Sequence, residues 1–279
     1  MRPISTIEEI SFGLEKVKSL KKGLLTNFFS DPVRTRLWLN KDLMRLAEIG
    51  ETVFLFRKNQ GFWNLYYISS GLASLEKDLD SLGSRYDKET FVVDLVGKED
   101  IHAVRAVFLN GRFSEYTVLY RMSRTVDAPD VRNAGEEHLS YAGATDLAGI
   151  FLLFREYFDP MCEQVPLMEE LAAWAEKKQI LTYSDDKTTI QAFLIYEVTG
   201  KTSYLRYWFV HPGHREKKIG SKLIYKFFKE SGPATRQLFW VIGSNGNAIK
   251  RYEHYGFQKE PFYDHVLINR DKKYEGQNN

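Results

Sequence analysis

The chain has 279 residues, enough for one large domain or two of ordinary size. Its 39 Lys and Arg nearly balance its 37 Asp and Glu, and a formal net charge of +2 excludes a surface built for general nucleic-acid binding. Hydrophobic residues make up 43% and charged residues 27%, the balance of a globular chain rather than a disordered one. No apolar run nears the ~20 residues of a membrane span. Met1–Lys16 carries Glu8, Glu9 and Glu15 in place of a signal peptide's apolar core. The single cysteine, Cys162, excludes an internal disulfide or a cysteine-built zinc site, and it points to a reducing, cytoplasmic compartment.

In the first half, Ile7, Ile10, Leu14, Val17 and Leu20 recur at helical steps, and Gly23 ends the run. Asp31-Pro32 reads as N-cap and first residue of a second helix running toward Ile49. Thr52–Arg57 and Phe62–Ile68 are predicted strands joined by the turn Lys58–Gly61. A helix through Leu72, Leu75, Leu79 and Leu82 follows, then a strand over Phe91–Val96. Ile101, Val104, Val107 and Phe108 mark another helix, and Tyr116–Met122 alternates as a strand. Asp127–Gly135 is turn chemistry without periodicity, so the domain boundary is expected there, with residues 1–130 on one side and 131–279 on the other.

The second half restarts with a short strand over His138–Ala142, a helix from Asp146 to Phe158 and another from Pro166 to Lys178. Strands are predicted over Ile180–Tyr183, Gln191–Val198 and Ser203–Val210. A basic loop, His211–Lys218, leads into a helix over Gly220–Glu230. The strand Gln237–Ile242, the helix Asn247–Tyr255 and the strand Phe262–Ile268 complete the chain, and no short repeat or low-complexity segment appears. Alternating strands and helices of this kind make an α/β fold, a mixed sheet covered on its faces.

Charge is uneven along this order. Residues 201–279 hold 15 Lys and Arg against 7 Asp and Glu, a net of +8, and the rest of the chain carries −6. The basic end is the place to seek an anionic ligand. The strand–loop–helix Tyr204–Leu223 has the physics for a diphosphate. A helix N-terminus offers unpaired N–H groups and a positive dipole end, Gly220 lets a phosphate near the backbone, and Arg215, Lys217, Lys218 and Lys222 add charge. A solvated loop ahead of an ordinary helix is the plainer reading of the same residues. Downstream, Asn245 or Asn247 can cap a helix that places Ala248 and Tyr252 on one face, with Gly256 just past its end.

Together the two stretches resemble the GNAT superfamily of acyl-CoA-dependent N-acetyltransferases. The family's loop pattern, Arg/Gln-x-x-Gly-x-Gly/Ala, reads here Arg215-x-x-Lys218-x-Gly220 after Val210-His211-Pro212. Its later pattern, Asn-x-x-Ala-x-x-x-Tyr-x-x-x-Gly-Phe, is met at Asn245, Ala248, Tyr252, Gly256 and Phe257. The resemblance covers roughly residues 136–270 and departs at Lys218, where the family has glycine. A lysine there must turn its side chain away or contact a phosphate itself, which bears on how tightly CoA is held.

The resemblance implies a site. Trp208, Phe209 and Val210 would lie beside the pantetheine arm, and Arg215, Glu216, Lys217, Lys218, Ile219, Gly220 and Ser221 would hold the pyrophosphate. Asn245 would orient the cofactor, and Tyr252 would protonate the departing thiolate, with the amine attacking the thioester directly. Cys162 is then not a nucleophile and reads as a buried apolar residue. The base is open among Glu197, His254 and a water chain.

The first half echoes the second and reads as a degenerate copy, with an unrelated α/β domain as the alternative. Phe91–Val96 would match the cofactor strand, and the acids of Gly97-Lys98-Glu99-Asp100 would repel a pyrophosphate. The reading is thus a cytoplasmic N-acetyltransferase using acetyl-CoA and no metal, with a primary amine on a small molecule, amino acid or peptide as acceptor. Its rivals are an aminoacyl-tRNA-dependent transferase and a non-catalytic CoA-binding module.

Overall fold

The computed structural model describes residues 1–29, 31–126, 135–186, 188–232 and 234–270. Two units divide the chain. Among the described residues the first comprises Met1–Leu119, Ile242–Ser244 and Pro261–Arg270; the second comprises Tyr120–Val241 and Asn245–Glu260. The boundary expected at 130/131, and the turn-rich stretch around it up to residue 134, lie outside the described residues.

The first unit opens with β1 (Arg2–Pro3) and α1 (Ile7–Ser19), followed by β2 (Leu25–Thr26) and α2 (Pro32–Asn40). The start of α2 is as expected: the Asp31 carboxylate accepts the N–H groups of Val33 and Arg34 at 3.0 and 3.2 Å. Its end is not. The helix stops at Asn40, Asp42 turns left-handed at φ 54°, and Met44–Ile49 forms a strand, β3. Its residues Met44, Leu46, Ala47 and Ile49 are buried, and they suit a strand covered on both faces as well as a helix. Then come β4 (Thr52–Lys58), β5 (Trp63–Ser69), α3 (Leu72–Arg85), β6 (Phe91–Gly97), α4 (Ile101–Asn110) and β7 (Ser114–Thr125). Strands β3, β4 and β5 are antiparallel neighbours, and β5 pairs in parallel with β6. Phe54, Phe56, Tyr67 and Phe91 pack against Leu75, Leu79, Val104 and Phe108 of α3 and α4 to form the core.

Strand β3 changes how the halves correspond. With it counted, β5 and the following α3 take the place expected of the cofactor strand and its helix, and Phe91–Gly97 is the next strand along. The gap where β5 parts from β6 is filled by the unit's own chain. The parallel pairing covers only Trp63↔Phe91 and Asn64↔Val92. Beyond it, β2 pairs with β5 at Leu25↔Ser69 and Thr26↔Ile68. Asn27 bridges the diverging strands. Its Nδ2 donates to the carbonyls of Leu65 and Asp94 at 3.2 Å, and its Oδ1 accepts the Tyr67 N–H at 2.8 Å. The acids after Phe91–Val96 are therefore not what sets this half apart.

The second unit runs β8 (Leu139–Tyr141), α5 (Leu147–Tyr157), α6 (Met168–Glu176), β9 (Ile180–Tyr183), β10 (Ala192–Thr199) and β11 (Thr202–Val210). It continues through a 3-10 turn (Pro212–Lys217), α7 (Ile219–Glu230), β12 (Arg236–Ile242), α8 (Gly246–His254) and β13 (Gln258–Ile268). From Pro261 onward β13 belongs to the first unit, where it lies antiparallel to β6. The order is the one the sequence predicts. Phe154 and Trp174 of α5 and α6 cover one face through Phe193, Ile195 and Phe209. Leu223, Phe227 and Ile249 of α7 and α8 cover the other through Leu194, Leu205 and Phe239. Among the described residues no helix is long and apolar enough to cross a membrane.

Candidate active site

The site grows from β11. Its alternation puts Leu205 and Trp208 on the α7–α8 face and Phe209 on the α5–α6 face. The register with β10 slips between Ile195↔Tyr207 and Tyr196↔Leu205, leaving Arg206 as an extra residue. Such a bulge bends and twists the strand. On its other side β11 pairs with β12 only over Thr202–Tyr204 against Arg236–Leu238, although β11 continues to Val210. The parting strands open a cleft of ≈ 320 Å³, lined by Trp208, Phe209, Val210, Arg215, Asn245, Asn247, Ala248, Arg251 and Tyr252. Six of these are the expected residues Trp208, Phe209, Val210, Arg215, Asn245 and Tyr252. The lining holds two guanidinium groups and no carboxylate.

Trp208 organises the floor. Its ring lies 5.6 Å from that of Tyr252 and 5.8 Å from that of Tyr255. A Cβ on Gly220 would stand 3.3 Å from the Trp208 Cζ2, so the glycine makes room for the indole. The buried indole N–H has no hydrogen-bond partner among the described residues. A buried orphan donor costs ~1–3 kcal/mol, a cost that an acceptor in the cleft would relieve.

The basic loop closes one end. His211 Nδ1 accepts the Gly213 N–H at 3.2 Å, so its ring proton sits on Nε2, 3.0 Å from the Tyr157 hydroxyl. Lys217 pairs with Asp185 at 3.0 Å, Glu216 is exposed, and Ile219 is buried as the anchor of α7. The Ser221 hydroxyl meets that of Tyr255 at 2.9 Å. Residues 216–221 therefore shape the turn and first helical turn without lining the cleft. Lys218 is exposed and left-handed, at φ 57° and ψ 21°. That conformation explains the glycine of the related pattern, because a side chain there costs ~1–2 kcal/mol. Lys218→Gly is expected to raise unfolding stability by ~0.5–1 kcal/mol, measured by denaturant titration. A loss of stability would show that the lysine side chain is held in place.

Asn245 caps α8 by accepting the Ala248 N–H at 3.1 Å, which brings Ala248, Arg251 and Tyr252 to the cleft. The Tyr252 ring packs 4.3 Å from that of Phe239. Burial pushes its phenol up to about 12; the Arg251 charge works against that rise and the Glu163 carboxylate adds to it. The two bases considered from sequence are elsewhere. Glu197 lies on the α5–α6 face, where it accepts the Trp174 indole N–H at 2.8 Å and pairs with Arg206. His254 is exposed, its ring 5.3 Å from that of Tyr255. Glu163, in the segment between α5 and α6, was not singled out from sequence. Burial, with the charge of Asp159, pushes its carboxyl up to about 7. Its loop has no periodicity, and nothing local in the sequence marks it.

The family model described as Acetyltransferase (GNAT) domain matches residues 167–259. No curated protein matches the chain. Several solved structures share its fold. A GCN5-related N-acetyltransferase from Sphaerobacter thermophilus superposes with a TM-score of 0.59 at 12% identity, over 78% of this chain and 76% of that one. Another from Kribbella flavida gives 0.56 at 11%, over 89% and 98%. A tandem GNAT protein from the clavulanic acid biosynthesis pathway gives 0.59 at 10%, over 98% and 99%.

Proposed function

We propose that this chain, which carries a GNAT acetyltransferase domain at residues 167–259, moves an acetyl group from acetyl-CoA to a primary amine. The cleft where β11 parts from β12, with Tyr252 in its wall, is the observation that carries this reading. Its residues suit an acyl-CoA. The edge of β11 from Leu205 to Val210 can pair with a pantetheine amide, the orphan Trp208 N–H can take an acceptor, and Arg215 and Arg251 can face phosphate.

Bound acetyl-CoA supplies the activated thioester. The chain's part is to seat it against the amine and to manage protons. Tyr252, protonated throughout the physiological range, gives its proton to the sulfur as the bond to carbon breaks. Near-neutral net charge favours a small molecule or peptide over nucleic acid as acceptor. The single buried cysteine fits a cytoplasmic setting.

The test is thiol release from acetyl-CoA over a panel of amines: a polyamine, an amino-acid ester, an aromatic ethylamine and an amino sugar. Mass spectrometry then identifies the product. Release with an acetylated amine supports the reading. Tight acetyl-CoA binding without release on any amine favours a non-catalytic binding module.

A further inference from the structure

The basic loop brings fewer cations to the cleft than its sequence suggests. Lys217 is held by Asp185 at 3.0 Å, and Lys222 of α7 lies over the Tyr183 ring at 5.6 Å. Lys218 is exposed and does not line the cleft, whereas Arg215 does. Where Arg215 stands depends on the turn that leaves β11 just before it, and His211 fixes that turn. Every hydrogen-bonding group of His211 is engaged. Its backbone N–H donates to the Gln191 carbonyl at 2.8 Å, and its carbonyl accepts the His214 N–H at 2.9 Å. Its Nδ1 accepts the Gly213 N–H at 3.2 Å, which caps the 3-10 turn Pro212–Lys217. Its Nε2–H donates to the Tyr157 hydroxyl at 3.0 Å. Tyr157 is the last residue of α5. Its ring packs 5.0 Å from that of Phe209, in the cleft lining, and edge-on to the imidazole at 5.5 Å and 76°. The loop is thereby tied to α5 across the end of β11.

We propose that His211 and Tyr157 are positioning residues for phosphate recognition: they hold the turn in the shape that keeps Arg215 in the cleft wall, ready for a phosphate of the acyl-CoA. The inference rests on the acetyltransferase reading above. Neither residue lines the cleft, so both act through Arg215. An arginine ordered only when its ligand arrives loses part of the contact's free energy to that ordering, and a turn already closed avoids the loss. One imidazole tautomer serves both ties. With its proton on Nε2, the ring accepts from Gly213 and donates to Tyr157. A capping carboxamide or carboxylate could do the first and not the second. The Arg215 charge also reaches Tyr157: burial and Glu156 hold the phenol above its ordinary value, and Arg215 works against that rise.

The test is the acetyl-CoA dissociation constant of the intact chain and five variants. His211→Ala should weaken binding ~10-fold. Tyr157→Phe, which removes one oxygen and keeps the ring on Phe209, should weaken it ~3–5-fold. In His211→Asn the carboxamide oxygen stands where Nδ1 stands and can accept the Gly213 N–H, but it cannot reach Tyr157. Its affinity should therefore match that of Tyr157→Phe. Arg215→Gln should weaken binding ~10-fold or more, and adding His211→Ala to it should cost less than about twofold further, because the effect passes through Arg215. A merely structural role would lower the affinity by the same factor with or without Arg215. If His211→Ala fails to fold, Tyr157→Phe combined with Arg215→Gln runs the same cycle. Fully additive effects, His211→Asn as weak as His211→Ala, or unchanged affinity in Tyr157→Phe overturns the positioning role and leaves the acetyltransferase reading standing. A wild type that binds no acetyl-CoA overturns both.

Discussion

Tyr252→Phe is expected to lower kcat for acetyl transfer by ~10²–10⁴-fold and to leave the acetyl-CoA dissociation constant within about twofold. The substitution removes one oxygen. The ring keeps its packing against Phe239 and Trp208, with centroids at 4.3 and 5.6 Å, so the cleft keeps its shape. What the proposed reaction loses is the proton that would meet the leaving sulfur. Because burial holds the phenol near 12, Tyr252 contributes no fall in rate below about pH 10 in the wild type. Matched kinetics and calorimetry on the two proteins check this. Equal kcat values would assign protonation of the sulfur to water.

The second large effect concerns where, and how often, the proposed acetyl-CoA is expected to bind. The two units use the same motif in opposite ways. In the second, β11 leaves β12 after Tyr204 and the gap is a cleft. In the first, β5 leaves β6 after Asn64, and the gap is bridged by β2 and Asn27. Thr26 Oγ1 also donates to the Tyr67 carbonyl at 2.6 Å, so the β5 backbone is already paired there. A pantetheine amide would have to displace these hydrogen bonds, each worth ~1 kcal/mol net. One site per chain follows. Ala248→Phe, in the wall of the remaining cleft, should weaken acetyl-CoA by ~100-fold or more, about 2.7 kcal/mol. Ala248 is only half buried, sits in the first turn of α8 and packs at the margin of the core cluster beneath that helix, so a ring added in the cleft wall takes up cleft volume.

Much of this site could be read in the chain itself, because its signals are local. Asn245 caps a helix, Ala248 and Tyr252 follow at the spacing of one helix face, and Gly256 takes a left-handed φ of 89° after it. Lys218 stands where the related pattern has glycine, and the backbone there is left-handed too. What could not be read depends on packing between distant residues. Met44–Ile49 is apolar enough for either a helix or a strand, and its pairing with β4 decides the matter. The filling of the first unit's gap depends on Asn27 meeting Leu65 and Asp94, partners 38 and 67 residues away. From the sequence Gly220 reads as room for a phosphate, whereas its tight neighbour in the structure is the Trp208 indole. Glu163 lies in an aperiodic turn, and only burial beside Asp159 makes its carboxyl unusual.

Calorimetric titration of acetyl-CoA into the intact chain tests the central claim most directly, with Ala248→Phe alongside. The account predicts one site per wild-type chain and no measurable site in the variant at the same concentrations. Two sites would contradict the closed gap of the first unit, and no binding to the wild type, or unchanged binding to Ala248→Phe, would contradict the assignment of the cleft.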